Sequence, residues 1–172
     1  WCWEKSVIPL ISGHYETGEA LPDALLNNLL AAKNFQSAMQ MLRQVEFALF
    51  DFRLHRNYTP DSEKSVQSVL NEVRHLVSVV VPPAFNRFQN GFSHIFGGGY
   101  AAGYYSYKWA EVLSSDAFSR FEDEGVFNPV TGRSFMTEIL QRGGSQDAMT
   151  LFKGFRGREP KIDALLRHCG IA

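Results

Sequence analysis

An all-α fold is predicted from this sequence by the spacing of its apolar residues. They recur at three- and four-residue steps along almost the whole chain, and sustained two-residue alternation is rare. Even the most β-branched stretch, Val66-Val69-Val73-Val77-Val80, steps in threes and fours, which decides for a helix over a strand.

The elements follow in order. Pro22 stands where a first helical turn tolerates it, and Leu25, Leu26, Leu29 and Leu30 share a face before Asn34 breaks the helix. A longer helix runs through Phe35, Met39, Leu42, Val45, Leu49 and Phe52. Thr59-Pro60-Asp61-Ser62 reads as a turn and cap for the valine helix, which Pro82-Pro83 stops. Periodicity then disappears from Phe85 to Gly99, where Asn90-Gly91 and Gly97-Gly98-Gly99 mark irregular backbone. A helix is predicted over Tyr100–Phe121, ending near Gly125, followed by a turn at Asn128–Gly132. Three short helices come last, around Phe135–Leu140, Ala148–Phe152 and Ile162–Leu166, with Gly143-Gly144-Ser145 capping the second and Gly170 closing the last.

At 172 residues and 45% hydrophobic composition the chain can bury a core, and 1–172 reads as a single helical unit. A formal charge of -1 gives no reason to expect nucleic acid as a partner. No apolar run is long enough to cross a bilayer and no basic-then-apolar start marks secretion, so no membrane partner is expected. Cys2 and Cys169, at opposite ends, make no disulfide framework, and a reducing cytoplasm fits best. The opening Trp1-Cys2-Trp3 carries no initiator methionine. We expect a piece of a longer polypeptide with an interface near Trp1 and Trp3.

The stretch from His94 to Tyr107 is the richest in chemistry. Tyr100, Tyr104 and Tyr107 stand at i, i+4 and i+7, which in a helix places three neutral phenol donors on one face. Gly97, Gly98 and Gly99 let the backbone approach a ligand closely or swing over it as a lid, with His94 on the far side. Spacing alone leaves a second reading open, since such a stripe is more often half-buried packing. The glycines match neither the dinucleotide fingerprint nor a phosphate loop. None of the five histidines, His14, His55, His75, His94 and His168, begins a His-Glu-X-X-His motif, so no metal ligand is assigned in this chain. Arg156-Gly157-Arg158-Glu159 reads as a charged turn or an ion pair to a neighbouring helix in preference to a carboxylate grip.

The run His94-Ile-Phe-Gly-Gly-Gly-Tyr100-Ala-Ala-Gly-Tyr104-Tyr-Ser-Tyr107-Lys-Trp109-Ala-Glu111 closely resembles the glycine- and tyrosine-rich segment of the thimet oligopeptidase/oligopeptidase A family of zinc metallopeptidases, most closely the bacterial oligopeptidase A branch. Ordered matches continue at Trp1–Glu4, Ser12–Gly18, Ala32–Asn34, Phe50–Arg53, Gly143–Ser145 and Phe155–Pro160. The resemblance implies the helical C-terminal part of a zincin-like, two-lobed catalytic domain whose channel admits short peptides. It further implies that His94 and Tyr107 act on the reacting carbonyl, with Tyr107 as first choice for oxyanion donor, and that Tyr100, Tyr104 and the glycines bind the peptide. In that family two histidines and a glutamate hold zinc upstream of the segment matched here. The resemblance therefore implies a zinc cofactor held elsewhere, the upstream part of the same peptidase as partner, and an isolated chain without activity. The competing reading is a non-catalytic helical module that binds extended peptides.

Overall fold

A computed structural model describes residues 1–61 and 63–172. Among the described residues the chain forms eight α-helices and no strand: α1 Ile8–Ile11, α2 Asp23–Lys33, α3 Ser37–Asn57, α4 Val66–Val77, α5 Ser106–Glu124, α6 Pro129–Phe135, α7 Ala148–Arg156 and α8 Asp163–His168. Two 3-10 turns, Phe88–Gly91 and Ser93–Ile95, precede α5, and a π-helical turn, Met136–Leu140, follows α6. The chain divides into two compact units, Ala38–Ser114 and Trp1–Ser37 with Ser115–Ala172.

In the unit Ala38–Ser114, α3 contributes Phe47, Phe50 and Leu54 to a core completed by Val69, Leu70 and Val73 of α4 and by Phe92 and Ile95 of the connecting segment. The three- and four-residue steps explain which faces meet, since Asn71, Glu72 and His75 of α4 stay exposed. Each large apolar side chain buried this way stabilises by about 1.5–3 kcal/mol relative to exposure. A buried ion pair ties the two helices: Arg74 Nε donates to Glu46 Oε1 at 3.1 Å and Ser78 Oγ donates to Glu46 Oε2 at 2.6 Å. Those contacts correct one predicted boundary. Helix α4 ends at Val77, and Ser78, already extended, reaches Glu46 before Pro82-Pro83 begins. Its cap is Ser65, whose Oγ accepts the Ser68 N–H at 3.1 Å, in place of the cap predicted at Thr59–Ser62; Ser62 lies outside the described residues. Helix α3 starts two residues after Phe35 because Gln36 takes a left-handed φ of 54°.

The other unit buries Leu26, Phe121, Leu151, Phe152, Phe155 and Leu165. Trp1 packs edge-on against Phe118 and Phe121, with ring centroids 4.6 and 4.8 Å away, and its Nε1 donates to the Val126 carbonyl at 3.1 Å. Asp116 of α5 is clasped by Arg158, whose two terminal nitrogens donate to Oδ1 and Oδ2 at 2.6 Å each, by Arg156 Nε at 3.2 Å and by the Lys161 N–H at 2.7 Å. The Arg156–Glu159 turn is thus an ion-pair anchor. Two predicted turns are corrected by their capping side chains. Asn128 Oδ1 accepts the Val130 N–H at 2.9 Å and opens α6 at Pro129, placing Gly132 inside a helix. Asp147, and not Gly143-Gly144-Ser145, caps α7 through the Thr150 N–H at 3.0 Å.

Candidate active site

The candidate residues all lie in the unit Ala38–Ser114. The segment bearing them is a closed turn. The Ser93 carbonyl accepts the N–H groups of Phe96, Gly97 and Gly98 at 3.1, 2.9 and 2.8 Å, and the His94 carbonyl accepts the Tyr100 N–H at 3.0 Å. Two of the three glycines are required by this path. A Cβ on Gly98 would stand 2.8 Å from His94 Cα and 3.0 Å from its carbonyl oxygen, and Gly99 has a φ of +82° that side chains rarely adopt. Gly97 has open space around it.

The predicted helix over Tyr100–Phe121 starts only at Ser106. Ala102 takes a left-handed φ of 53°, and the buried Asp51 of α3 claims two amides that a helix would leave to itself. Its Oδ1 accepts the Ala102 N–H at 2.8 Å and its Oδ2 the Tyr104 N–H at 2.9 Å. Tyr100 and Tyr104 therefore sit in turns, and Tyr107 lies in the first turn of α5. The rings nevertheless come together. Tyr100 stacks on Tyr107 with centroids 5.0 Å apart, Tyr104 lies 5.2 Å from Tyr107, and the His94 ring stands 6.1 Å from Tyr100 and 6.0 Å from Tyr104.

Within the cluster the phenols differ. Tyr104 is half-buried edge-on against Phe47 and Phe92, and its hydroxyl donates to Gln44 Oε1 at 2.9 Å. Burial pushes its pKa above the usual 10.0, with Arg43 pulling partly the other way. Tyr107 is 40% exposed. Its pKa is also raised, first by hydrogen bonding with the Tyr100 hydroxyl, then by burial and by the neighbouring phenols. Both phenols remain protonated at neutral pH, so Tyr107 keeps an uncharged O–H, and its ring packs on Tyr100 and Tyr104, the two tyrosines that His94 approaches.

Among the described residues no group of three or more His, Cys, Asp or Glu side chains is arranged to hold a metal ion. The donor set present does not fit zinc. Sequence reasoning missed Gln44 and Asp51. The signal for Asp51 was available, because Phe47, Phe50, Asp51 and Leu54 step at i, i+3, i+4 and i+7 and put a carboxylate on the core face of α3.

Comparison with known proteins gives the family of the chain. The chain is 60% identical to oligopeptidase A of Escherichia coli over 171 residues, covering 99% of this chain and 25% of that protein. It is 47% identical over 175 residues to the organellar oligopeptidase A of Arabidopsis thaliana, covering 99% and 22%, and 34% identical over 176 residues to dipeptidyl carboxypeptidase of Escherichia coli, covering 99% and 25%. It spans about a quarter of the length of these relatives. The model of peptidase family M3 matches residues 1–171, and the chain belongs to that family. Among the described residues no helix is long and apolar enough to cross a membrane.

Proposed function

We propose that this chain is the C-terminal segment of the catalytic domain of a cytoplasmic zinc-dependent oligopeptidase that hydrolyses short peptides, with the zinc ligands on residues outside these 172. Membership of peptidase family M3 supports the reaction class. The observation that carries the assignment of roles is the exposed, protonated Tyr107 hydroxyl within a cluster that also holds His94 and Tyr100. As water adds to a peptide carbonyl, negative charge gathers on its oxygen, and a donor already in place stabilises that charge more than it stabilises the substrate. Tyr107 supplies this donor. His94 donates to the same oxygen or to the adjacent carbonyl.

Tyr104 has another role: it is half-buried against Phe47 and Phe92, and its oxygen accepts a peptide N–H. Tyr100 and the backbone of Gly97–Gly99 hold the peptide chain beside it. The remainder of the same peptidase is the partner that completes the site, and the 172-residue chain alone cleaves nothing.

In the full-length peptidase, Tyr107→Phe is expected to lower kcat about 100-fold with little change in KM, the cost of losing one oxyanion donor. Cleavage of a quenched fluorescent peptide measures it, and normal turnover would overturn the oxyanion role.

A further inference from the structure

We propose that Asp51 is a positioning residue for this site: its buried carboxylate sets the backbone of the Ala102–Tyr104 turn and so aims the Tyr104 and Tyr107 phenols. The inference rests on the function proposed for Tyr107 and assigns Asp51 no contact with substrate.

Asp51 has no exposed surface, and its ion-pair contact is with His55, on the next turn of α3. Two backbone N–H groups donate to it, those of Ala102 and Tyr104 at 2.8 and 2.9 Å, and His55 Nδ1 stands 2.9 Å from Oδ1 and 3.0 Å from the Asp51 carbonyl oxygen. A carboxylate with one oxygen on each of two amides, two residues apart, fixes the direction of the chain between them. Between them the chain departs from helix, since Ala102 holds a left-handed φ of 53° that an alanine adopts only when its surroundings impose it. The Tyr104 ring leaves the second clamped residue, and Tyr107 follows one turn later, 5.2 Å away ring to ring. Any slack in the clamp therefore displaces the phenols, and a shift of about 1 Å in a catalytic group can cost on the order of 100-fold in rate.

The test is a double-mutant cycle in the full-length peptidase, read by peptide cleavage and by hydrogen exchange. Asp51→Asn keeps the size of the side chain but replaces one acceptor oxygen with an NH₂ group, leaving one amide without a partner. It is expected to lower kcat by about 10-fold or more in the wild-type background and by a clearly smaller factor in the Tyr107→Phe background, because one of the two phenols it aims, the oxyanion donor, is already gone. Exchange at the Ala102 and Tyr104 amides is expected to quicken at least about 10-fold, with α4 unchanged. Unchanged exchange at those amides, or an equal loss of kcat in both backgrounds, would overturn the inference. Should Tyr107→Phe alone leave turnover intact, the oxyanion role fails, and the exchange measurement still decides whether Asp51 holds the turn. Should Asp51→Asn not fold, His55→Ala removes only the partly exposed partner, and the same comparison of backgrounds applies.

Discussion

Asp51 and Asp116 are both buried carboxylates, at 0% and 1% exposure, but their partners differ. Asp116 is held by the guanidinium groups of Arg158 and Arg156 and by one amide, an arrangement that locks the Arg156–Lys161 turn to α5. Asp51 spends its acceptors on the amides of a turn that presents tyrosines at the surface. The contrast separates an anchor that stabilises the fold from one that shapes a site. Charge-paired burial costs most when it is broken, whereas a carboxylate on backbone amides governs local direction.

The largest expected effect falls on the anchor. Asp116→Ala strands two arginines and should cost about 3 kcal/mol of stability, measured by denaturant unfolding of the full-length peptidase. Turnover of the folded enzyme should change little, the reverse of the outcome expected for Asp51→Asn. Burial alone would raise the Asp116 pKa, but Arg158, the Lys161 amide and Arg156 together hold it below its ordinary 3.8. A lowered native pKa contributes stability that is present above the unfolded value and lost as the pH falls through the native one. Stability should therefore decline as acid takes the pH below about 4, and Asp116→Asn should flatten that decline.

A smaller effect tests the site turn. Gly98→Ala drives a methyl group into the His94 backbone, at 2.8 Å, and should cost about 1–3 kcal/mol together with a fall in kcat as His94 is displaced. Gly97→Ala is the matched control, since its Cβ meets nothing within 4 Å, and should stay within about 0.5 kcal/mol of wild type in thermal unfolding. Equal losses from the two variants would break the distinction between a required and an incidental glycine.

The helices were legible in the sequence because burial selects apolar residues at a fixed step, and Phe47, Phe50, Leu54, Val69, Leu70 and Val73 announce their faces. What escaped were ends and caps set by distant partners. The steps of Tyr100, Tyr104 and Tyr107 suit a helix, and only Asp51, about fifty residues earlier, shows why the chain declines to form one there. Likewise α4 stops at Val77 for the sake of Ser78 and Glu46, a pairing no local pattern contains. Family resemblance singled out the clustered rings of the candidate site, but the clamp beneath them had to come from coordinates.

The central claim concerns a donor that acts on charge in the transition state, and affinity for a mimic of that state reads it most directly. In the full-length peptidase, a phosphinic peptide, which carries a tetrahedral anion where the carbonyl would be, should bind Tyr107→Phe about 100-fold more weakly than wild type, while a product peptide binds both alike. Equal affinities for the phosphinic peptide, or an equal loss for both ligands, would contradict the account.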